Sequence, residues 1–346
     1  MRIPKMRTMR GKLTRQSGAK QTESTEPEII DEPWAASVLP RREAGAHKWG
    51  VGGVVVVAGS PPFAGAAALC CAGAGRSGAG VVSAALPRSI AQVVVGLVPE
   101  VTLVILPEGE SQSVAARAAE AIGERLGRSA AMVVGPGLGT DAATVALLGS
   151  LFGFTRTRGA IGFGTGASGP DTSLLKGTIA AAGKPVVVDA DALTWLAEQE
   201  KWWERVPDRQ LVLTPHPGEM SRLVDVNVDE IAANPTLIAR QAATRWGQTV
   251  VLKGGRTVVA SADGAVVAAD APPALATAGS GDVLCGSIGG FLAQGLSGPD
   301  AAALAVFVGC RAVGRVSEKY GTLGVVAGDL PMAIAAELRA LEERGG

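Results

Sequence analysis

The chain predicts an α/β fold, a mainly parallel central sheet with helices on both faces. Two observations carry this. From Lys48 onward, short β-branched runs alternate with Ala-rich segments, the pattern of strand–helix–strand units. The 346 residues also include 47 glycines, which suits many tight strand–helix turns around a ligand.

In chain order, the β-branched and aliphatic runs predict strands at 54–57, 81–84, 101–105, 131–134, 185–188, 211–213, 249–252, 257–260 and 265–267. Between them, 64–75, 113–126, 142–151 and 174–182 read as helices. The closing third differs, with 283–294, 299–316 and 330–343 predicting three successive helices. Residues 34–346 therefore read as one domain with a glycine-rich insertion near 155–171. That insertion lacks a hydrophobic period, no strand leads into it, and no Lys-Ser or Lys-Thr follows. It reads as a surface insertion rather than a phosphate loop. Residues 1–33 are polar and aperiodic. Their cations, Arg2 to Lys20, precede the first acid, Glu23, with no apolar stretch after them. The expectation is a disordered basic tail and not a signal peptide.

Composition excludes several functions. Lys plus Arg and Asp plus Glu are 32 each, so no overall field recruits nucleic acid or anionic membrane. An aromatic content of 4% is low for a base-stacking platform. No run approaches the ~20 apolar residues of a membrane span. Cys70, Cys71, Cys285 and Cys310 form no C-x-x-C pair and only two histidines are present, which argues against zinc. The cysteines read as small core residues in a reducing cytoplasm.

The most informative motif is Thr277-Ala278-Gly279-Ser280-Gly281-Asp282, just ahead of a predicted helix. Small residues let backbone N–H groups crowd an anion at a helix N-terminus. A carboxylate there, Asp282, suits a general base that takes a proton from a hydroxyl meeting a phosphoryl group. Five other segments add to it. Ala58-Gly59-Ser60 with Phe63-Ala64-Gly65-Ala66-Ala67 makes a strand-to-helix turn that a ligand can approach, though helix packing explains it equally. Gly135-Pro136-Gly137-Leu138-Gly139 follows a strand where open α/β sheets bind ligands, but it is no dinucleotide fingerprint. Asp189 and Asp191 at a strand end suit a metal ion, directly or through water; Asp191 equally suits a helix cap. His216, between Pro215 and Pro217, is a stiffly held imidazole suited to ligand contact, the alternative being a buried core histidine. Glu219 suits the first turn of the helix that follows. Lys253-Gly254-Gly255-Arg256-Thr257 reads either as a phosphate-facing hairpin or as an ordinary one with solvated charges.

In this order, the segments resemble the ADP/ATP-dependent NAD(P)H-hydrate dehydratases, a family of the ribokinase-like superfamily. Thr214-Pro215-His216-Pro217-Gly218-Glu219, Gly279-Ser280-Gly281-Asp282-Val283-Leu284 and the closing Leu323-Gly324 with Val326-Ala327-Gly328-Asp329-Leu330 carry the likeness, which runs from about Lys48 to the C-terminus. The resemblance implies a sheet of about nine strands and ADP-dependent dehydration of the S epimer of NADHX or NADPHX, giving AMP and phosphate. It implies that Ala66, Gly137, His216 and Asp282 face the hydrate, with Asp282 as the catalytic base. Lys253, Gly254, Gly255, Arg256, Thr257, Gly279, Ser280 and Gly281 would face ADP or ATP with Mg²⁺. It further implies a cytoplasmic homo-oligomer, a tetramer in many members, and an epimerase partner for which the 33-residue tail is too short. Thr277-Ala278 departs from the Lys-Gly of many members, and Val308 stands before Gly309 where a His is common. Two other readings remain: a small-molecule kinase of the same superfamily acting on a hydroxymethylpyrimidine or thiazole alcohol, and a non-catalytic nucleotide sensor.

Overall fold

The computed structural model describes residues 27–154 and 177–344. Its first half runs β1 (Glu28–Ile29), α1 (Glu32–Val38), α2 (Lys48–Val51), β2 (Gly53–Val57), α3 (Ala64–Arg76), β3 (Val81–Pro87), α4 (Arg88–Leu97), β4 (Thr102–Leu106), α5 (Gln112–Gly127), β5 (Ala131–Val134), α6 (Ala142–Phe152) and α7 (Thr178–Ala182). There follow β6 (Val186–Val188), α8 (Ala190–Ala197), β7 (Leu211–Leu213), α9 (Pro217–Val224), α10 (Val228–Ala233), α11 (Pro235–Trp246), β8 (Thr249–Leu252), β9 (Arg256–Ala260) and β10 (Val266–Asp270). Three helices close the chain: α12 (Ser280–Ala293), α13 (Gly298–Tyr320) and α14 (Leu330–Arg344).

The ten strands form one sheet in the order β1-β10-β9-β8-β7-β6-β5-β2-β3-β4. From β4 to β8 every pairing is parallel; β8 with β9 and β9 with β10 are antiparallel hairpins. Strand alternation splits the core in two. Val54 and Val56 belong to the core cluster that takes in α3, α12, α13 and α14, while Val55 and Val57 belong to the one that takes in α5, α6, α8 and α11. Both faces are covered, which is why these strands read as unbroken apolar runs.

The predicted strands all form, together with a tenth. The domain boundary drawn at residue 34 lies inside the fold. Glu28–Ile29 pairs in parallel with β10, and the Asp31 carboxylate accepts the Trp34 N–H to start α1. A two-residue strand has no period to read in sequence. Glu32 on α1 pairs with Arg311 and Arg344, tying this segment to α13 and α14. Residues 1–26 and the insertion near 155–171 lie outside the described residues.

Helices α3 and α12 pack backbone to backbone. A Cβ on Gly286 would lie 2.0 Å from the Cys70 carbonyl oxygen, and one on Gly73 would lie 2.5 Å from that of Val283. This contact sets the height of the α12 N-terminus above the sheet. By contrast, a Cβ on Gly309 in α13 meets nothing within 4 Å. Gly286→Ala is therefore expected to lower the unfolding free energy by about 3 kcal/mol despite its gain in helix propensity, because the helices must separate. Gly309→Ala is expected to gain up to ~1 kcal/mol. Urea denaturation of both variants checks the contrast; equal midpoints would mean the α3–α12 contact is not tight.

Candidate active site

The strand registers align Val57, Val134, Val188 and Leu213 on adjacent parallel strands, so the segments after β2, β5, β6 and β7 emerge along one edge. This is the carboxyl edge of the sheet. The order reverses between β2 and β5, and such a switch point opens a crevice for ligands. All six sequence motifs reach this edge or the helix above it.

The crevice at the switch point is small and tight. Gly137 has φ +61°, and a Cβ on it would come 2.9 Å from that of Ala66 and 2.7 Å from that of Phe63. The Ser60 hydroxyl donates to the Gly137 carbonyl at 2.7 Å. Thus the two predicted substrate residues, Ala66 and Gly137, meet. One turn along α3, Leu69 abuts Gly279: a Cβ there would sit 2.5 Å from Leu69 Cδ1. Gly279, at φ +91°, is the N-cap of α12.

The start of α12 is where the sequence predicts an anion cradle. Ser280 is folded into the turn, its N–H donating to Thr277 and its hydroxyl to Leu275 at 2.9 Å. Among the described residues, none accepts a hydrogen bond from the Gly281 and Asp282 N–H groups, which point out of the first turn. Lys253 faces them, 3.5 Å from where a Gly281 Cβ would lie.

Lys253 is not a solvated hairpin charge. Its ammonium donates to Asp189 Oδ1 at 2.8 Å and stands 4.0 Å from Glu219 Oε2. Burial works against the ammonium, but Asp189 and Glu219 outweigh it and raise its pKa. Asp189, only 2% exposed, also accepts the Thr214 hydroxyl at 2.6 Å. Asp189, not Asp191, holds the N-cap position of α8. Asp191 lies in the helix and accepts the Gly139 N–H at 2.8 Å, locking the glycine turn. The reading of Asp191 as a helix cap therefore yields to its contact with the glycine turn.

His216 is half exposed, so it is not a core histidine. It caps α9: Nδ1 accepts from Gly218 at 3.0 Å and Glu219 at 3.3 Å, and Glu219 returns the contact by accepting the His216 N–H at 2.8 Å. Nδ1 being an acceptor, the ring proton sits on Nε2. Burial first, then the charges of Lys253 and Arg222, holds the pKa below the ordinary value, so the ring is a neutral donor at pH 7. Burial also pushes Glu219 up to about 7, against the pull of Lys253.

A cavity of about 340 Å³ opens beside the cradle. His216, Lys253, Gly254, Gly255, Thr257, Ser280 and Gly281 line it. Arg256 does not; its guanidinium pairs with Asp270 at 2.8 Å on the neighbouring strand. Ala66, Gly137, Gly279 and Asp282 are not part of that lining. Pro272, Leu275, Val306, Gly309, Leu330 and Ile334 also line the cavity, and sequence reasoning missed them. Their runs read as ordinary core; the mid-helix Gly309 is the one signal.

Asp282 stands in the first turn of α12. No hydrogen bond within the described residues engages its carboxylate; burial, then Asp189 with Asp191, pushes it up to about 6, with Lys253 pulling down. A carboxyl raised from about 3.9 to about 6 favours the fold below pH ~4, and that contribution is lost as pH rises through 6. Asp282→Asn is accordingly expected to be more stable than the wild type at pH 8, by about 1–3 kcal/mol, with the gap closing by pH 4. Guanidinium melts at both pH values measure it, and a destabilised variant at pH 8 would contradict the buried-charge reading.

The sequence model of the NAD(P)H-hydrate dehydratase family matches residues 54–335. The chain is 36% identical over 318 residues to the bifunctional NAD(P)H-hydrate repair enzyme Nnr of Moorella thermoacetica, covering 91% of this chain and 54% of that protein. The Nnr enzyme of Salinibacter ruber is 38% identical over 296 residues, covering 84% and 49%. The chain thus spans about half the length of the curated relatives it matches. Among solved structures, the ADP/ATP-dependent NAD(P)H-hydrate dehydratase of Bacillus subtilis, co-crystallized with ATP and Mg²⁺, superposes with a TM-score of 0.71 at 24% identity, covering 92% of this chain and 99% of that one. A ribokinase-like superfamily protein of Enterococcus faecalis gives 0.71 at 20%, covering 94% and 99%. These two share the ribokinase-like fold seen here. With most of its length matched and its motifs gathered at one sheet edge, the chain belongs to the NAD(P)H-hydrate dehydratase family.

Proposed function

We propose that this chain dehydrates the S epimer of NADHX or NADPHX with ADP, giving NADH or NADPH, AMP and phosphate. One observation carries the reading. The Asp282 carboxylate, with no hydrogen bond among the described residues, stands in the first turn of α12, next to the cavity-lining Gly281 and near Gly279, which Leu69 of α3 abuts.

In this reading the nucleotide lies in the cavity with its phosphates at the cradle, and the hydrated ring lies over Gly137. Asp282 takes the proton of the C6 hydroxyl as that oxygen bonds to the terminal phosphorus and the bond to AMP breaks. The Gly281 and Asp282 N–H groups and the Lys253 ammonium hold the charge that spreads over the transferred group. The phosphate ester then leaves, pushed by the ring nitrogen's lone pair, and loss of a C5 proton restores the C5=C6 bond. His216 offers Nε2–H as a donor to the substrate and does not act as base.

Mg²⁺ fits as a passenger of the nucleotide. Among the described residues no group of three or more His, Cys, Asp or Glu side chains is placed to hold a metal. Asp189 and Asp191 are both engaged. The ion would ride on phosphate oxygens and supply charge neutralisation there.

Localisation and assembly follow the same reading: a cytoplasmic homotetramer working beside an epimerase. No helix among the described residues is long and apolar enough to cross a membrane. The exposed Tyr320, Leu323, Val326 and Met332 supply apolar surface for subunit contact.

The test mixes the protein with hydrated NADH, ADP and Mg²⁺. Dihydronicotinamide absorbance is expected to return with equal amounts of AMP and phosphate. Asp282→Asn is expected to bind ADP and lose turnover by at least about 10²-fold. In the wild type the rate falls below pH ~6 as Asp282 protonates. A stable phosphoester on an alcohol substrate instead would identify a kinase; binding without turnover would identify a sensor.

Gly309→Leu fills the open space on the cavity wall. It is expected to fold normally and to lose the rise in Tm that ADP gives the wild type. An undiminished rise would place the nucleotide elsewhere.

A further inference from the structure

The glycine turn after β5 is held by three separate elements. From the segment after β2, the Gly59 N–H donates to the Pro136 carbonyl at 2.8 Å and the Ser60 hydroxyl to the Gly137 carbonyl at 2.7 Å. From α6, the Thr144 hydroxyl donates to the Leu138 carbonyl at 3.1 Å. These three contacts join neutral groups. The fourth comes from α8, where Asp191 Oδ2 accepts the Gly139 N–H at 2.8 Å across 52 residues of sequence. A hydrogen bond to a carboxylate is roughly twice as strong as a neutral one. Asp191 is the one ionisable side chain among the four partners.

The backbone that carries Asp191 is bent. Ala190 lies at φ +48°, a left-handed conformation that residues with a Cβ rarely adopt. A Cβ on Gly135 would stand 1.9 Å from the Asp189 carbonyl oxygen, so the acidic turn is pressed onto the glycine turn. The bend sends two carboxylates, two residues apart, to different partners. Asp189 goes to Lys253, on the side of the cavity, and Asp191 goes to Gly139. Strain of this kind persists where the surroundings impose it, and here both flanking acids are gripped.

We propose that Asp191 is a positioning residue for the hydrate: by fixing Gly139 it holds Gly137 in place under the hydrated ring, and so it sets substrate affinity while leaving nucleotide affinity alone. This rests on the reading that the hydrate lies over Gly137. The space there leaves little tolerance, because Ala66 and Phe63 already crowd the position of a Gly137 Cβ. Gly135, Gly137 and Gly139 all have positive φ, so the turn has little stiffness of its own. Released at Gly139, it is free to shift, and a misplacement of about 1 Å in a positioning element is costly. The nucleotide side is separate. Asp191 does not line the cavity, and Lys253 is held by Asp189.

The test compares wild type with Asp191→Ala, Asp191→Asn and Asp191→Glu. Hydrate turnover is measured with calorimetric titrations of hydrated NADH and of ADP with Mg²⁺, and with thermal melts. Asp191→Ala is expected to raise KM for the hydrate about tenfold, with kcat changed less and ADP affinity unchanged. Asp191→Asn keeps an oxygen that accepts from Gly139 and is expected to restore most of that loss. Asp191→Glu carries the charge on a longer arm and is expected not to. If Asp191→Ala fails to fold, the contrast between Asn and Glu decides. Equal KM in all four proteins, or a KM raised as much by Asn as by Ala, overturns the proposal alone. So does a loss of ADP affinity in Asp191→Asn, which would mark Asp191 as a ligand of the nucleotide's metal ion. A wild type that neither binds nor turns over the hydrate overturns the dehydratase reading together with the proposal.

Discussion

A buried carboxylate gripped by a lysine is the interaction on which the site depends. Asp189 ends β6, Thr214 follows β7 and Lys253 follows β8, and all three side chains meet at one Asp189 oxygen. Three neighbouring strands are thereby joined at their carboxyl ends. Breaking such a pair from one side leaves a charge stranded away from water, which costs about 3–5 kcal/mol. Lys253 is consequently a fixed positive charge facing the cradle and not a mobile arm. Its pKa is raised by its acidic neighbours, so it stays charged across the pH range in which Asp282 titrates.

A second constraint brings the parts to working distance. The glycines at the α3–α12 contact allow two helix backbones to touch. Helix α3 begins beside Gly137, at the switch point of the sheet, while α12 begins beside Lys253. Leu69 against Gly279 is the joint between them. Any side chain bulkier than hydrogen at Gly286 would shift the cradle relative to the crevice. Fold stability and site geometry are therefore set by the same helix pair, and the small residues that look like loose packing in the sequence are what make it close.

Much of this was legible because it is local. The β-branched runs marked the strands, since a strand buried on both faces must be apolar throughout, as Val54 to Val57 are. The Gly-Ser-Gly-Asp turn marked the cradle, and the Lys-Gly-Gly hairpin marked a cation at a sheet edge. What stayed hidden depends on contacts far apart in sequence. Nothing local shows that Asp189 meets Lys253, 64 residues on, or that Asp191 reaches back to Gly139 rather than capping its own helix. Glu28–Ile29 is a strand only because β10 has an edge to pair with. The apolar lining of the cavity was invisible for a different reason: Val306, Leu330 and Ile334 look the same whether they face a core or a cavity.

Three of the site's acids differ in how they are held. Asp189 is neutralised by Lys253, and Asp191 is occupied by a backbone N–H. Each is thereby tied to a structural partner. Of these three, Asp282 is the one with no hydrogen bond among the described residues, and burial, with the two other carboxylates, raises its proton affinity. At pH 7 a carboxyl with a pKa of about 6 is still mostly ionised, yet it is a stronger base than an exposed aspartate, a combination that favours proton abstraction. The same base would serve a kinase equally well. What makes the product an alkene in the proposed reaction is the substrate, whose ring nitrogen expels the phosphate that the enzyme installs. In the proposed reaction the protein's part is to bring a hydroxyl, a carboxylate and a phosphorus atom together, with the α12 N-terminus and the Asp189–Lys253 pair supplying the fixed charges around them.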